Sequence, residues 1–355
     1  MLRPDRITNE LLEFNRRLLS GLAILRQIGG IEVEASAKDP VYREDKLVLY
    51  RYRPRVPEPL AVPLLIVYAL VNRPYMTDLQ EDRSLVRGLL DQGIDVYLID
   101  WGYPDGADRY LELDDYVNRY IRRCVDFICQ HHGLTSLNLL GICQGGTLSL
   151  CFAALHPERV RNLITMVTPV DFHTPDNMLS LWYRDLDVDL MVDTLGNIPG
   201  ELLNWSFLSL KPFRLTGQKY VDMADILEDR EKLENFLRME KWIFDSPDQP
   251  GEMFRQFIKY FYQENRLIQG TLEIGKGVVK LANITMPVLN IYASEDHLVP
   301  PSASIPLEHY VGTDDYSAVV FKGGHIGIYV SGRAQKDIPP AIADWLKARS
   351  QITAT

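Results

Sequence analysis

The sequence predicts an α/β fold in which a mostly parallel central sheet is interrupted by a mainly helical insertion. Three observations lead there. Apolar runs of strand length alternate with helical patterns and glycine stops from residue 47 to residue 167. The alternation ceases between roughly 171 and 283, where helix formers and aromatics replace buried strands. It resumes at 288 and runs to a C-terminal helix. Strands alternating with helices imply βαβ units and parallel pairing.

Taken in order, residues 1–45 read as an N-terminal helical segment. Within it Leu11, Phe14, Leu18, Leu22 and Leu25 fall at helical spacing over 8–28, a face that packs on its own domain or on a partner. Residues 47–52 read as a strand, and 64–69 as a continuous apolar strand of the kind buried on both faces. A helix over 81–91 is stopped by Gly93, and 95–99 returns as a strand. A helix over 113–131 ends before Gly133, a buried strand follows at 137–140, and a helix over 145–155 closes before Pro157. Residues 163–167 complete this half. The insertion, 171–283, carries Trp182, Tyr183, Trp205, Phe207, Trp242, Phe244, Phe254, Tyr260, Phe261 and Tyr262. Most of these are expected in a packed core, with some lining a pocket. Strands at 288–292 and 317–321 and a helix over 338–348 restore the rhythm. The core is therefore 46–170 joined to 284–355.

Composition narrows the function classes. Of 355 residues, 46% are apolar and 24% charged, the balance of a globular protein with a substantial core. Lys and Arg number 38 against 48 Asp and Glu, a net charge of −10 that disfavours non-specific nucleic-acid binding. The first thirty residues lack an export signal's apolar core, and the longest apolar stretch, 60–71, is broken by Pro63 and too short to be a transmembrane segment. Cys124, Cys129, Cys143 and Cys151 lack zinc-pair spacing. No metal is implied, and reduced thiols without an export signal point to the cytoplasm. The run Asp185-x-Asp187-x-Asp189 imitates a calcium loop, but Leu190 and Gly196 occupy the positions where glycine and glutamate are needed. No phosphate-cradling glycine motif supports a nucleotide cofactor.

The chemistry concentrates in Gly141-Ile142-Cys143-Gln144-Gly145-Gly146, set between a buried strand and a helix. This has the form of a G-x-S-x-G nucleophile elbow with cysteine at the serine position. A sharp strand-to-helix turn holds the nucleophile in strained geometry, and Gly141 and Gly145 let neighbouring chain pass without a Cβ clash. The helix N-terminus favours a thiolate. Cys124, Cys129 and Cys151 fall within helices and read as structural. An acid and a base should follow in that order. Asp296 lies just past the strand at 288–292 and is preferred to Glu295 by its later place in the loop; His325 lies in the glycine-rich Gly323-Gly324-His325-Ile326-Gly327 after the strand at 317–321. His297 competes as a base, yet adjacent residues seldom point at one nucleophile, so a supporting or structural role is expected. The oxyanion hole is expected from the backbone N–H of Gln144 and, from the loop after residues 64–69, that of Val71, with the register open by one.

With those residues in place, the chain resembles the catalytic subunits of the short, two-component (class III) polyhydroxyalkanoate synthases. The segments that carry the resemblance are VPLLIVYALVNRPYMTDLQEDRS, DVYLIDWGYPD, LNLLGICQGG, MVTPVDFHTPDN, GNIPGELLNWSFLSLKPF, MEKWIFDSPDQPGE, DHLVPP and GGHIGIYVSG. The family's catalytic cysteine, aspartate and histidine fall on Cys143, Asp296 and His325. The resemblance implies an α/β-hydrolase fold with a helical cap, or lid, and no cofactor. It implies that 3-hydroxyacyl-CoA, (R)-3-hydroxybutyryl-CoA above all, is joined into a growing polyester chain with release of CoA through a cysteine thioester. A thioester keeps the acyl group activated, where serine would leave a more inert ester. It further implies a PhaE-type accessory subunit, a homodimer or larger hetero-oligomer, and a cytoplasmic place at the surface of polyester granules. A thiol-dependent hydrolase of the same fold, dienelactone-hydrolase-like or a thioesterase, and a non-catalytic granule-binding scaffold are the alternatives.

Overall fold

The computed structural model describes residues 30–210, 223 and 225–350. The amphipathic helix expected over 8–28 lies outside them. In chain order the strands are β1 (Lys38–Glu44), β2 (Leu47–Tyr52), β3 (Leu64–Val67), a short ribbon of β4 (Asp78–Gln80) and β5 (Arg83–Ser84), then β6 (Val96–Asp100), β7 (Leu137–Ile142) and β8 (Val160–Met166). A second ribbon, β9 (Leu272–Ile274) with β10 (Gly277–Val279), precedes β11 (Val288–Ala293) and β12 (Tyr316–Phe321). Eight of these form the central sheet in the order β1-β2-β6-β3-β7-β8-β11-β12. The pairs from β6 through β12 are parallel, and only β1 and β2 enter antiparallel at one edge.

The strands expected from apolar runs are all present. The two short ribbons, β4 with β5 and β9 with β10, are not among those expected. Nor is one strand of the central sheet: residues 38–44, expected in the helical segment, pair with β2 as an edge strand, bulged between Pro40 and Tyr42. Its exposed positions and its proline hide the apolar signal, and both are features of an edge rather than a central strand.

Alternation along the central strands explains the three-layer packing. Leu65, Val67, Tyr97, Ile99, Leu137 and Leu139 belong to one apolar cluster. Their neighbours Leu64, Ile66, Val96, Leu98, Leu140 and Ile142 belong to another on the opposite face. Helices α1 (Leu85–Asp91), α2 (Arg122–His132) and α3 (Gln144–Leu155) follow β5, β6 and β7. Ser84 caps α1, its hydroxyl accepting from Arg87 N at 2.8 Å. Helix α2 continues a wider, π-helical stretch, Asp115–Ile121.

Between β8 and β11 lie α4 (Met178–Arg184), α5 (Val188–Leu195), α6 (Gly200–Ser209), α7 (Arg230–Phe244) and α8 (Gly251–Phe257). The acidic run here serves the helices. Asp187 caps α5 by accepting from Leu190 N, and Asp189 pairs with Arg255 at 2.6 Å and Lys259 at 2.5 Å. After β12 the chain closes with α9 (Gly332–Lys347), which crosses α1 where Pro339 lies against Gly88; a Cβ there would come within 2.6 Å of the proline ring.

Polar side chains inside the sheet are paired with one another. Asn290 on β11 accepts from Thr165 Oγ1 on β8 at 3.0 Å and donates to the Ser304 carbonyl at 3.0 Å. An unpaired buried polar group costs more than a made hydrogen bond gains. Asn290 also donates to the Tyr316 hydroxyl at 3.0 Å, so Asn290→Leu takes a partner from three groups and is expected to destabilise the protein by about 2–4 kcal/mol, read as a lower urea midpoint at unchanged slope.

Candidate active site

The carboxyl ends of five parallel strands converge on one place, and each contributes a loop to it. At the end of β7 the chain turns into α3 through Cys143, whose φ of 54° and ψ of −124° lie in a region non-glycine residues seldom adopt. Two anchors hold the turn. Cys143 N donates to Met166 O on β8 at 2.9 Å, and Cys143 O accepts from Gly146 N and Thr147 N. The flanking glycines are there for space. A Cβ on Gly145 would lie 2.2 Å from Val67 O, and one on Gly141 would lie 2.5 Å from the Gly146 Cα. A side chain at Gly145 would push the elbow off β3, and one at Gly141 would push α3 off β7. Cys143 is half-buried, whereas Cys124, Cys129 and Cys151 are buried and burial raises each of their thiols above the ordinary range.

The acid and the histidine come from the far half of the sequence and are joined by continued pairing beyond the sheet. β11 and β12 run in register to Ala293 opposite Phe321. Past that point Ser294 N donates to Phe321 O at 2.8 Å and Glu295 N to Gly323 O at 2.9 Å. These two bonds align the loops, and His325 Nδ1 meets Asp296 Oδ2 at 2.7 Å. The other carboxylate oxygen, Oδ1, accepts from Leu298 N at 2.8 Å and Val299 N at 2.9 Å. The carboxylate is thus fully engaged, and its orientation fixes the ring. Burial opposes charge on His325, but Asp296 and then the hydrogen-bonded Cys143 sulfur outweigh it and raise the imidazole pKa to about 10. The three residues singled out from spacing therefore stand together, with Glu295 turned to the backbone pairing of the loops.

The loop after β3 supplies the third element. Gln144 Oε1 accepts from Leu70 N at 3.0 Å, so that N–H is already committed. Val71, the next residue, lines the cavity beside Cys143 and Gln144. His297 also lines the cavity, with Leu298 and Val299.

Over these groups lies a cavity of about 370 Å³ with predominantly apolar walls. Its roof comes from the stretch between β8 and β11, through Leu179, Leu203, Phe207, Trp242, Phe254 and Tyr262. Periodicity does not say which of the insertion's aromatics line the pocket; Trp242 is among those that do. Nothing in the sequence singles out Asn72 and Arg73, which with Trp242 tie the β3 loop to α7. The motifs VNRPYMT and MEKWIFDSP contain them, but no spacing rule links residues so far apart.

The raised His325 pKa has a thermodynamic consequence. A group whose folded pKa exceeds its unfolded value, near 6.5, stabilises the fold fully below that value and loses the contribution as pH rises through the folded pKa. The thermal-stability difference between the protein and His325→Gln is expected to be largest at pH 6, to shrink through pH 8, and to be gone above about pH 10. Melting curves of the pair across that range measure it.

Comparison with known proteins accords with this geometry. A model of the α/β-hydrolase fold matches residues 62–331. A monoacylglycerol lipase from Paleococcus ferrophilus superposes with a TM-score of 0.53 at 17% identity, covering 85% of this chain and 99% of the lipase. A putative lipase from Sulfolobus solfataricus does so at 0.54 and 16% identity, covering 88% of this chain and 99% of that one. At such identities these show the fold alone. The sequence relatives say more. The poly(3-hydroxyalkanoate) polymerase subunit PhaC of Allochromatium vinosum is 63% identical over 98% of this chain and 99% of its own. The subunits of the same name from Thiocystis violacea (98% of this chain, 99% of its own) and a Synechocystis strain (96% and 93%) are 60% and 55% identical. With the fold, the Cys–His–Asp geometry and near-complete overlap in agreement, the chain belongs to the poly(3-hydroxyalkanoate) polymerase PhaC family, built on an α/β-hydrolase fold.

Proposed function

We propose that the protein polymerises (R)-3-hydroxyacyl-CoA, 3-hydroxybutyryl-CoA above all, through a covalent thioester on Cys143. The observation that carries this reading is a cysteine elbow coupled to a buried His–Asp pair beneath an apolar roof. His325 holds the proton taken from the thiol, and Cys143 Sγ attacks the substrate carbonyl. The oxyanion is held by the Gln144 and Val71 N–H groups. The imidazolium so formed is stabilised by Asp296 and delivers its proton to the departing CoA sulfur. Acylation leaves Sγ without charge, so the share of imidazolium stabilisation owed to Cys143 disappears. His325 returns to the neutral form that can accept a proton from the hydroxyl of the next unit or of the growing chain. That oxygen attacks the thioester, an ester bond forms, and Cys143 is released as it began.

The roof suits the chemistry because water competes with the hydroxyl for the same thioester. Apolar walls disfavour water while accommodating a short acyl chain. Among the described residues no helix is long and apolar enough to cross a membrane. Work in the cytoplasm, at the surface of the accumulating polyester and with a PhaE-type partner in a homodimer or larger assembly, completes the reading; family membership is what supports it.

Two expectations follow from the assigned roles. Cys143→Ser should fold normally, yet form little polymer and release little CoA from 3-hydroxybutyryl-CoA, because a serine hydroxyl is harder to ionise and its ester less activated. Free hydroxy acid in place of polymer from the unaltered protein would instead identify a thiol hydrolase. A thiol near pKa 8.5 asks modestly of its base, whereas a hydroxyl nearer water's roughly 15.7 depends on a well-oriented imidazole. In Asp296→Asn, elongation should therefore slow far more than first acylation, and rapid-quench sampling read by intact-protein mass should find acyl-enzyme accumulating.

A further inference from the structure

We infer that Asn72 is a positioning residue that makes a competent oxyanion hole depend on the seating of helix α7, an inference that rests on the acyl-transfer reading above. Asn72 immediately follows Val71 and adopts a left-handed backbone, φ 57°. Asparagine tolerates that conformation better than most residues. Its side chain is buried and leaves the hydrolase core altogether. The amide nitrogen donates to the carbonyls of Ile243 at 3.1 Å and Trp242 at 3.3 Å, with Asn204 Oδ1 on α6 at 3.4 Å. Those carbonyls belong to the last turn of α7, where a helix runs short of its own donors; that of Trp242 also accepts from Asp245 N at 3.2 Å. Asn204 Nδ2 reinforces the cap by donating to Ile243 O at 2.5 Å.

The connection runs both ways. Trp242, buried beside the cavity, sends its indole N–H back to Arg73 O at 2.8 Å. The end of the same helix is held again at Asp245, which accepts from Tyr75 at 3.1 Å and Tyr103 at 2.6 Å. Val71 is therefore bracketed. On one side Leu70 N is bound by Gln144, the residue after the nucleophile. On the other, Asn72 and Arg73 are bound by α6 and α7. The peptide bearing the Val71 N–H has its orientation set from both ends, one of them outside the core. Moving α7 away would release that end, so a displaced roof would leave the oxyanion hole incomplete. Acylation would then be confined to the seated state, in which water is also excluded.

The test separates positioning from simple structural loss. Asn72→Gly keeps a residue at ease with positive φ and deletes only the latch. Trp242→Phe keeps an aromatic and deletes only the N–H to Arg73. Both should lower kcat for the first release of CoA from 3-hydroxybutyryl-CoA, by about 10- to 100-fold in Asn72→Gly and less in Trp242→Phe, with KM little changed. Alkylation of Cys143 by iodoacetamide, which needs no oxyanion hole, should keep its unaltered rate and pH dependence. Unaltered kcat in both variants would overturn the latch while leaving Cys143-dependent CoA release intact. A parallel loss in alkylation would overturn it too, by showing that the elbow itself had moved. A wild-type protein that releases no CoA would overturn the acyl-transfer reading, and the latch with it.

Discussion

The constraint on which the site depends is the backbone of Cys143. Holding a residue with a Cβ at positive φ between a strand and a helix costs on the order of 1–3 kcal/mol, and it persists only where the surroundings leave no alternative. Here β8 binds the Cys143 amide, α3 binds its carbonyl, and Gly145 brings α3 into contact with the end of β3. The glycines permit the turn; the parallel sheet enforces it. The same packing brings Gln144 alongside Leu70, so the turn that presents the thiol also aligns the loop opposite it.

The second half of the chain supplies a base whose properties belong to its surroundings. Asp296 and His325 sit on separate loops that would be free to diverge, but backbone pairing past the ends of β11 and β12 keeps them parallel as far as Gly323. The carboxylate is then locked by two amides and the imidazole, and the imidazole is left poised beside the sulfur. Its pKa is raised, against burial, by Asp296 and the sulfur beside it. In the acyl-transfer reading proposed above, acylation would remove the sulfur's share, so that one histidine would serve first as proton donor and then as acceptor.

The roof is more than a shield. Its walls are predominantly apolar, and the last turn of α7 fastens to the loop that follows β3. In the acyl-transfer reading proposed above, shielding and transition-state stabilisation would share that one set of contacts, an arrangement that would favour polymer over hydrolysis.

Much of this was legible in the residues themselves. Apolar runs marked the central strands because a strand buried on both faces carries few polar positions to confuse the pattern. The elbow was legible because its chemistry requires a local string, Gly141 to Gly145, and the acid and base because each must emerge just past a strand. Edge strand β1 was not legible, since half its surface meets solvent and its composition follows solvent rather than core. Nor was the place of His297 at the cavity, or the bond from Asn72 to carbonyls 170 and 171 residues away. Local sequence determines which side chains a strand or turn can present. Which of them meet across the sheet, and how a distant helix end is capped, was decided only by tertiary packing, because those contacts join segments whose separation along the chain carries no periodic signal.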